Sequence, residues 1–262
     1  MRGSLPSALR TLFAFSIFSL GLLGCGKSEK SESKAGSQPV ETVRADVAAT
    51  VSGKVKFSGA APKAKMISVT SDAYCSKQHD KSQIRSEDVV VNPNNTLSNV
   101  LVFVKKGLEG RTFAAPKEPA VLNQHGCWYE PHVIGVMVSQ PLVVRNSDDT
   151  LHNIHAMPKI NSGFNFAQPT KGMESSKTFD KEEIMIPVKC DVHSWMGGYI
   201  GVLLHPYFAV TGKDGSFSLK NLPPGQYEIE AWHEKFGVQT QSVTVAAKES
   251  KKMDFTFKPG SM

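Results

Sequence analysis

Residues 214–233 read DGSFSLKNLPPGQYEIEAWH, and this stretch contains two strand patterns separated by a turn. The dipeptide Asp214–Gly215 is typical of a tight hairpin turn, and Pro223–Gly225 fixes a second turn. Between the turns, Phe217 and Leu219 alternate with polar residues, which indicates a strand with one buried face. The stretch therefore predicts antiparallel β-structure.

The same signals extend outward in both directions along the chain. Short apolar or alternating segments bounded by Gly, Pro, Asp or Ser lie at 53–59, 98–107, 132–138, 141–147, 184–190 and 198–205. No long helical period competes with them, and only residues 71–83 favour one short helix. Many short strands at regular spacing predict an all-β fold made of sandwiches.

The C-terminal pattern at 211–237 resembles the carboxypeptidase regulatory-like family, a small transthyretin-like sandwich. That family opens with a G-x-V-x-x-x-G strand and then a V-x-V strand. Here these elements stand far upstream, as SGKVKFSG (52–59) and NVLVFVKKG (99–107). The resemblance implies a discontinuous sandwich, residues 50–107 plus 206–258, with a second domain of residues 108–205 inserted. The alternative is two domains in series.

The N-terminus carries a targeting pattern. Arg2 and Arg10 precede the short apolar run TLFAFSIFSLGLL, which ends two residues before Cys25. This resembles a bacterial lipoprotein signal and implies a signal peptide at 1–25 that ends at a lipidated Cys25. A flexible Ser-, Lys- and Glu-rich tether follows at 26–49. The expected location is the bacterial cell envelope, facing the periplasm, with the outer membrane favoured over the inner. The alternative is a plain secretory signal.

The charge of the chain is mildly basic but scattered. The formal net charge is +6, and no basic stripe interleaved with aromatic residues occurs. Such a distribution excludes the basic, aromatic-lined surface with which proteins usually bind nucleic acid. A mildly basic surface favours an acidic protein partner.

Four cysteines occur, and their expected environments differ. An exported protein folds in an oxidising compartment, so two of the three cysteines besides Cys25 should pair. The simplest allocation is a Cys75–Cys127 disulfide and a free Cys190. The rival is a second metal site, which would use Cys75, His79, Cys127 and His132.

The segments 146–158 and 188–202 carry the chemistry of the chain. The second reads VKCDVHSWMGGYIGV, in which a cysteine, a histidine and a methionine recur at every third position. One thiolate and two imidazoles with a weak axial thioether form the blue-copper arrangement. A histidine from residues 146–158, which offer His152 and His155, would complete this set.

The pair of motifs LHNIHA (151–156) and CDVHSWMGG (190–198) resembles cupredoxins, and its spacing is nearest to amicyanin. The resemblance covers about residues 117–205. It implies a Greek-key sandwich with one type 1 copper ion whose ligands are His152, Cys190, His193 and Met196. It also places Asn153 in the shell around the ligands, beside the cysteine sulfur. His155 is expected to pack or to lie at the surface. The predicted fold is thus all-β: a cupredoxin-like Greek-key sandwich plus a small carboxypeptidase regulatory-like sandwich.

The residues around Cys190 indicate an electron carrier rather than an enzyme. Multicopper oxidases flank this cysteine with histidines, whereas Lys189 and Asp191 stand here. We expect redox partner proteins in the cell envelope, membrane contact through the lipid anchor only, and no nucleic-acid partner. Two alternatives stay open: a copper handling or storage protein, and a non-metal structural or binding lipoprotein with a cupredoxin shell. The site also suits zinc.

Overall fold

A computed structural model describes residues 46–260, so the predicted signal peptide, Cys25 and most of the tether lie outside the described residues. The strands are β1 (Ala49–Phe57), β2 (Met66–Ser68), β3 (Gln83–Arg85), β4 (Leu101–Lys106), β5 (Ala120–His125), β6 (Trp128–Glu130), β7 (Val133–Met137), β8 (Leu142–Asn146), β9 (His152–Ala156), β10 (Phe164–Gln168), β11 (Glu174–Lys177), β12 (Glu183–Lys189), β13 (Gly197–Leu203), β14 (Phe208–Val210), β15 (Ser216–Leu222), β16 (Gly225–His233), β17 (Gly237–Val245), β18 (Ser250–Lys252) and β19 (Phe255–Phe257). One helix, α1 (Ala73–Gln78), and a single 3-10 turn (Asp80–Ser82) interrupt them. The prediction of an all-β fold built from β-sandwiches is confirmed.

Four sheets contain nearly all of these strands. Sheet A has the order β15-β1-β18, with β19 also pairing with β1, and sheet B has the order β14-β4-β16-β17. Sheet C has the order β10-β9-β12-β13-β7, and sheet D the order β11-β8-β5-β6. Strands β2 and β3 form a separate pair.

Sheets A and B are built from both ends of the described chain. Strand β1 pairs antiparallel with β15 and parallel with β18 and β19, which sets Val55 opposite Phe255. Strand β4 lies between β14 and β16. The first two long strands therefore pair with C-terminal strands, and sheets C and D are formed by the residues between β4 and β14.

The segment that carries β2, α1 and β3 departs from the predicted domain boundaries. The sequence analysis assigned it to the sandwich of residues 50–107 plus 206–258. In the structure Val69, Cys75 and Ile84 lie in the core between sheets C and D, with Leu122 and Ile154. The Cys75–Cys127 disulfide ties this segment to that core, so the boundary at residue 107 does not hold for residues 66–85.

Sheets B and C pack against each other, so the two sandwiches share a layer of apolar side chains. Strand β4 is buried on both faces: Val102 and Val104 point into the core between sheets A and B, and Leu101 and Phe103 contact β7 and β13 residues. Two paired glycines, Gly135 and Gly201, permit this approach. A Cβ on Gly201 would stand 2.7 Å from Leu101 Cδ2, and a Cβ on Gly135 would stand 2.5 Å from the Phe208 ring.

The described residues all fall within one compact unit rather than two separable ones. This follows from the buried B–C interface, because each sandwich uses the other to cover an apolar face. Between residues 46 and 260, no helix has the length and apolar character needed to cross a membrane.

Candidate metal centre

Three of the four predicted ligands, His152, Cys190 and His193, converge because β9 and β12 are neighbours in sheet C. His152 opens β9 and Cys190 directly follows β12, which pairs with β9 through Val188 and Lys189. His193 and Met196 lie on the short loop between β12 and β13. All four side chains are buried, none more than 2% exposed.

The donor atoms of three of these residues form one tight group. Nδ1 of His152 lies 2.9 Å from Nδ1 of His193, and Sγ of Cys190 lies 3.9 Å from the latter atom. All three donors lie within 4.8 Å of one another. Backbone bonds close the loop that carries them: the Cys190 amide donates to the Met196 carbonyl at 3.0 Å, and the Met196 amide donates to the His193 carbonyl at 2.9 Å.

Carboxylates hold the outer nitrogens of both imidazoles. Nε2 of His152 lies 3.0 Å from Asp148, and Nε2 of His193 lies 3.2 Å from Asp72. Each carboxylate accepts a hydrogen bond from an Nε2–H, so a ring that gives up its Nδ1 proton presents an Nδ1 lone pair to the centre. A carboxylate behind a ligating histidine is the usual outer arrangement of metal sites, because it fixes the tautomer and the ring orientation.

The two carboxylates are themselves fixed by backbone donors. Asp148 accepts from the amides of Gly126 and Cys127 at 2.8 and 2.7 Å, and Asp72 caps α1 by accepting from the Cys75 amide at 2.8 Å. Burial would raise the pKa of Asp148, but the hydrogen bonds from His152 and these amides hold that pKa below its usual value. Asp148 is therefore a charged anchor for His152.

Cys190 is set up as a thiolate. Burial would raise the pKa of its thiol, but hydrogen bonds from His152, His193 and the backbone amides of Asn153 and His193 lower the pKa to about 6. The His193 amide is 3.3 Å from the sulfur. Thiolate is the form that binds metals.

Asn153 ties the sulfur to the neighbouring loop. Its Oδ1 lies 3.3 Å from Cys190 Sγ and accepts from the Asp191 amide at 2.7 Å, while its Nδ2 donates to Asn165. The Asn153 side chain therefore lies beside the sulfur. His155 lies outside the donor group: it is half-buried and its Nδ1 lies 3.1 Å from Asp191.

Cys75 and Cys127 are joined by a disulfide. The second metal site considered from Cys75, His79, Cys127 and His132 is therefore excluded, because its sulfurs are committed to each other. The bond borders the main centre: Cys75 Sγ lies 3.8 Å from His193 Nε2, and Trp195 donates from Nε1 to the Cys127 carbonyl.

The chemistry of the donor set fits a soft transition-metal ion. With both Nε2 protons directed at carboxylates, the facing Nδ1 lone pairs at 2.9 Å repel unless a proton or a cation lies between them. A thiolate beside them adds negative charge. Met196, 1% exposed, supplies a thioether from the same loop. A site of one thiolate, two imidazoles and a thioether suits copper.

Neither Asp72 nor Asp148 was predicted from the sequence. Asp148 stands four residues before His152, and this spacing in NSDDTLH was a usable signal. Asp72 had no local signal, because only the fold and the disulfide bring α1 to His193.

Comparisons with known proteins cover parts of the chain. Residues 204–258 match the carboxypeptidase regulatory-like domain family. Among curated protein sequences, none matches this chain.

Several solved structures resemble part of the fold at low sequence identity. A copper-containing nitrite reductase from Thermus scotoductus SA-01 is 21% identical over 36% of this chain and 24% of its own length, with a TM-score of 0.29. A purple cupredoxin from Nitrosopumilus maritimus is 20% identical over 32% of this chain and 98% of its own, with a TM-score of 0.28. A mutant amicyanin in its reduced Cu(I) form is 20% identical over 38% and 97%, with a TM-score of 0.29.

Proposed function

We propose that this protein binds one copper ion through His152, Cys190, His193 and Met196 and acts as a one-electron carrier. The observation that carries the proposal is the inward pair of Nδ1 atoms, 2.9 Å apart, beside a thiol with a pKa of about 6. Each imidazole is locked by a carboxylate behind it. Copper at this centre would supply the chemistry by alternating between Cu(II) and Cu(I).

The surrounding residues favour fast electron transfer, because they hold the donors in one arrangement. Cys190 follows β12 directly and His152 opens β9, and these strands are paired. Asp72, Asp148 and the backbone hydrogen bonds of the ligand loop fix the imidazoles and the sulfur. Because these contacts hold the donor atoms, the atoms keep similar positions in both oxidation states of the metal. This lowers the reorganisation energy of each electron transfer.

Two exposed apolar residues that adjoin ligands in the chain support electron exchange with another protein. Leu151 precedes His152 and is 40% exposed, and Val192 precedes His193 and is 47% exposed. Exposed apolar residues of this kind, rimmed by polar groups, mark interaction sites when they cluster. We place the docking of a redox partner protein at the ligand loops, because Leu151 and Val192 are the immediate chain neighbours of the two buried histidines.

The cellular setting is part of the same proposal. A signal peptide at 1–25 and a lipid on Cys25 would anchor the folded domains to the envelope through the tether, facing the periplasm. Radiolabelled palmitate should enter the full-length protein and not a Cys25→Ser variant. Label in both proteins would contradict the anchor.

Voltammetry of the copper-loaded protein tests the carrier function. We expect one reversible one-electron wave, which a Cys190→Ser variant loses, and rapid electron self-exchange. Met196→Gln should shift the potential while copper remains bound. Slow self-exchange together with ready copper loss to a chelator would favour copper handling instead, and a His152→Ala variant with unchanged metal content would contradict a metal role.

A further inference from the structure

The long connection between β9 and β12, residues 157–182, contributes a side chain to the surroundings of the metal centre. This residue is Asn165, which lies on β10 opposite His155 of β9. It is exposed, yet both ends of its carboxamide are bonded inward: Oδ1 accepts from Nδ2 of Asn153 at 2.8 Å, and Nδ2 donates to the Asp191 carboxylate at 2.8 Å. Asn165 therefore joins a residue beside the Cys190 sulfur to the residue that follows Cys190 in the chain.

Asn153, Asn165 and Asp191 form a closed ring of hydrogen bonds. Nδ2 of Asn153 donates to the Asp191 carboxylate at 3.2 Å as well as to Asn165, and the Asp191 amide donates to Oδ1 of Asn153 at 2.7 Å. In the flipped carboxamide, Nδ2 would face the Asp191 amide and Oδ1 would face the carboxylate, so like groups would be opposed at both ends. The ring therefore fixes the orientation that leaves the Asn153 oxygen 3.3 Å from Cys190 Sγ.

Asp191 can hold this ring because its own carboxylate is fixed. Lys189 Nζ lies 2.9 Å from one carboxylate oxygen, and His155 Nδ1 lies 3.1 Å from the other. Hydrogen bonds from Lys189 and Asn165 hold the pKa of Asp191 below its usual value, so this residue is an anion at neutral pH. Asn165 is the one member of the ring that does not adjoin a predicted ligand in the chain, so its replacement leaves the ligand segments unchanged.

We infer that Asn165 is a positioning residue of the metal centre, which holds the Asn153 oxygen against the Cys190 sulfur and thereby lowers the reduction potential of bound copper. The inference rests on the proposed function. An oxygen 3.3 Å from a thiolate sulfur, with no proton between them, disfavours additional negative charge on the sulfur. Reduction from Cu(II) to Cu(I) adds one electron to the copper–thiolate unit, so an oxygen at this position favours the oxidised state.

Voltammetry of the copper-loaded full-length protein tests the inference through a double-mutant cycle. Asn165→Ala should raise the reduction potential, because the Asn153 oxygen loses part of its restraint. In an Asn153→Ala background the same replacement should leave the potential nearly unchanged, since Asn165 acts through Asn153. The matched control is Ser176→Ala, which removes an exposed polar side chain on β11 of the same connection and should keep the wild-type potential. Thermal melts establish that each variant is folded.

Hydrogen exchange in the metal-free protein gives a second readout that needs no copper. The Asp191 amide donates to Asn153, so in Asn165→Ala it should exchange about fivefold faster than in wild type, the factor for one typical hydrogen bond. Ser176→Ala should exchange like wild type at this amide. Unchanged exchange in Asn165→Ala would overturn the positioning role.

An unchanged potential in folded, copper-loaded Asn165→Ala would overturn the inference, and so would an equal shift with and without the Asn153 side chain. Failure of wild type to bind copper is a different result, because it would remove the proposed function. The exchange comparison would then still decide whether Asn165 holds the Asn153 carboxamide.

Discussion

The carboxylate of Asp72 lies 3.2 Å from Nε2 of His193, although the two residues belong to distant parts of the sequence. Asp72 caps α1, and α1 carries Cys75, which is bonded to Cys127. The disulfide, the helix cap and the candidate ligand are therefore one connected structure. The segment of residues 66–85 belongs to the metal centre as well as to the core between sheets C and D.

Asp72→Asn should weaken copper binding by about 10- to 100-fold, the usual effect of removing an outer partner of a ligating histidine. The amide is uncharged and carries a donor as well as an acceptor, so Nε2 of His193 loses a partner that only accepts and the tautomer is less firmly fixed. Competition with a chelator measures the affinity. Asp80→Asn, in the exposed turn after the same helix, is the control and should bind like wild type.

Replacing both Cys75 and Cys127 by alanine should lower the free energy of unfolding by about 4 kcal/mol, the loop-entropy value for a sequence separation of 52. Copper affinity should fall as well, since α1 and Asp72 are no longer tied to the core. Urea unfolding and chelator competition measure the two effects. Unchanged affinity in the folded double variant would show that Asp72 is positioned without the disulfide.

Gly201→Ala should destabilise the protein by about 1–3 kcal/mol, the usual cost of overpacking. The added Cβ would stand 2.7 Å from Leu101 Cδ2, so either the buried Leu101 side chain or the two sheets must shift. Gly212→Ala is the matched control, because a Cβ there meets nothing within 4 Å. A small effect of Gly201→Ala on the urea midpoint would mean that the B–C interface contributes little to stability.

Stability should fall as the pH drops from 6.5 towards 4, and His205 should account for part of the loss. Burial lowers the pKa of His205 to about 4. Its Nε2 lies 2.8 Å from the Val104 carbonyl and its Nδ1 accepts from the Tyr207 amide, so a second ring proton would face another donor. The unfolded chain binds that proton near pH 6.5, and therefore the folded state loses stability through this window.

For a single such histidine the loss at pH 5 is about 2 kcal/mol relative to neutral pH. His205→Gln should retain a donor to Val104 and show a smaller decrease between pH 7 and 5 in urea unfolding. An equal decrease in wild type and variant would assign the pH dependence to other groups, among them His233, whose pKa burial also lowers to about 4.

Local patterns in the sequence were sufficient for several of the long strands. The turn at Asp214–Gly215 and the alternation after it are local signals, and β15 and β16 follow them. Cys190, His193 and Met196 lie on one loop, so their convergence needs only that loop. The assignment of His152 as a ligand required the family resemblance. Only the pairing of β9 with β12 brings this residue close to Cys190.

The parts that sequence reasoning missed depend on contacts between distant segments. Nothing in residues 66–85 indicates that they pack against Leu122 and Ile154 rather than against the strands nearest in sequence. Sheets B and C approach closely because Gly135 and Gly201 have no side chain. In a sequence, a glycine within a strand pattern indicates a bulge or a bend equally well. Asp72 reaches His193 only through the fold, and a single sequence does not show such a pair.

The absorption and EPR spectra of the copper-loaded full-length protein test the central claim most directly. A thiolate from Cys190 with the two imidazoles predicts strong absorption near ~600 nm, a property of this ligand class. The EPR signal should show the narrow copper splitting of a type 1 site, and Cys190→Ser should abolish both features. A colourless Cu(II) protein, or one whose spectra are unchanged by Cys190→Ser, would contradict the account.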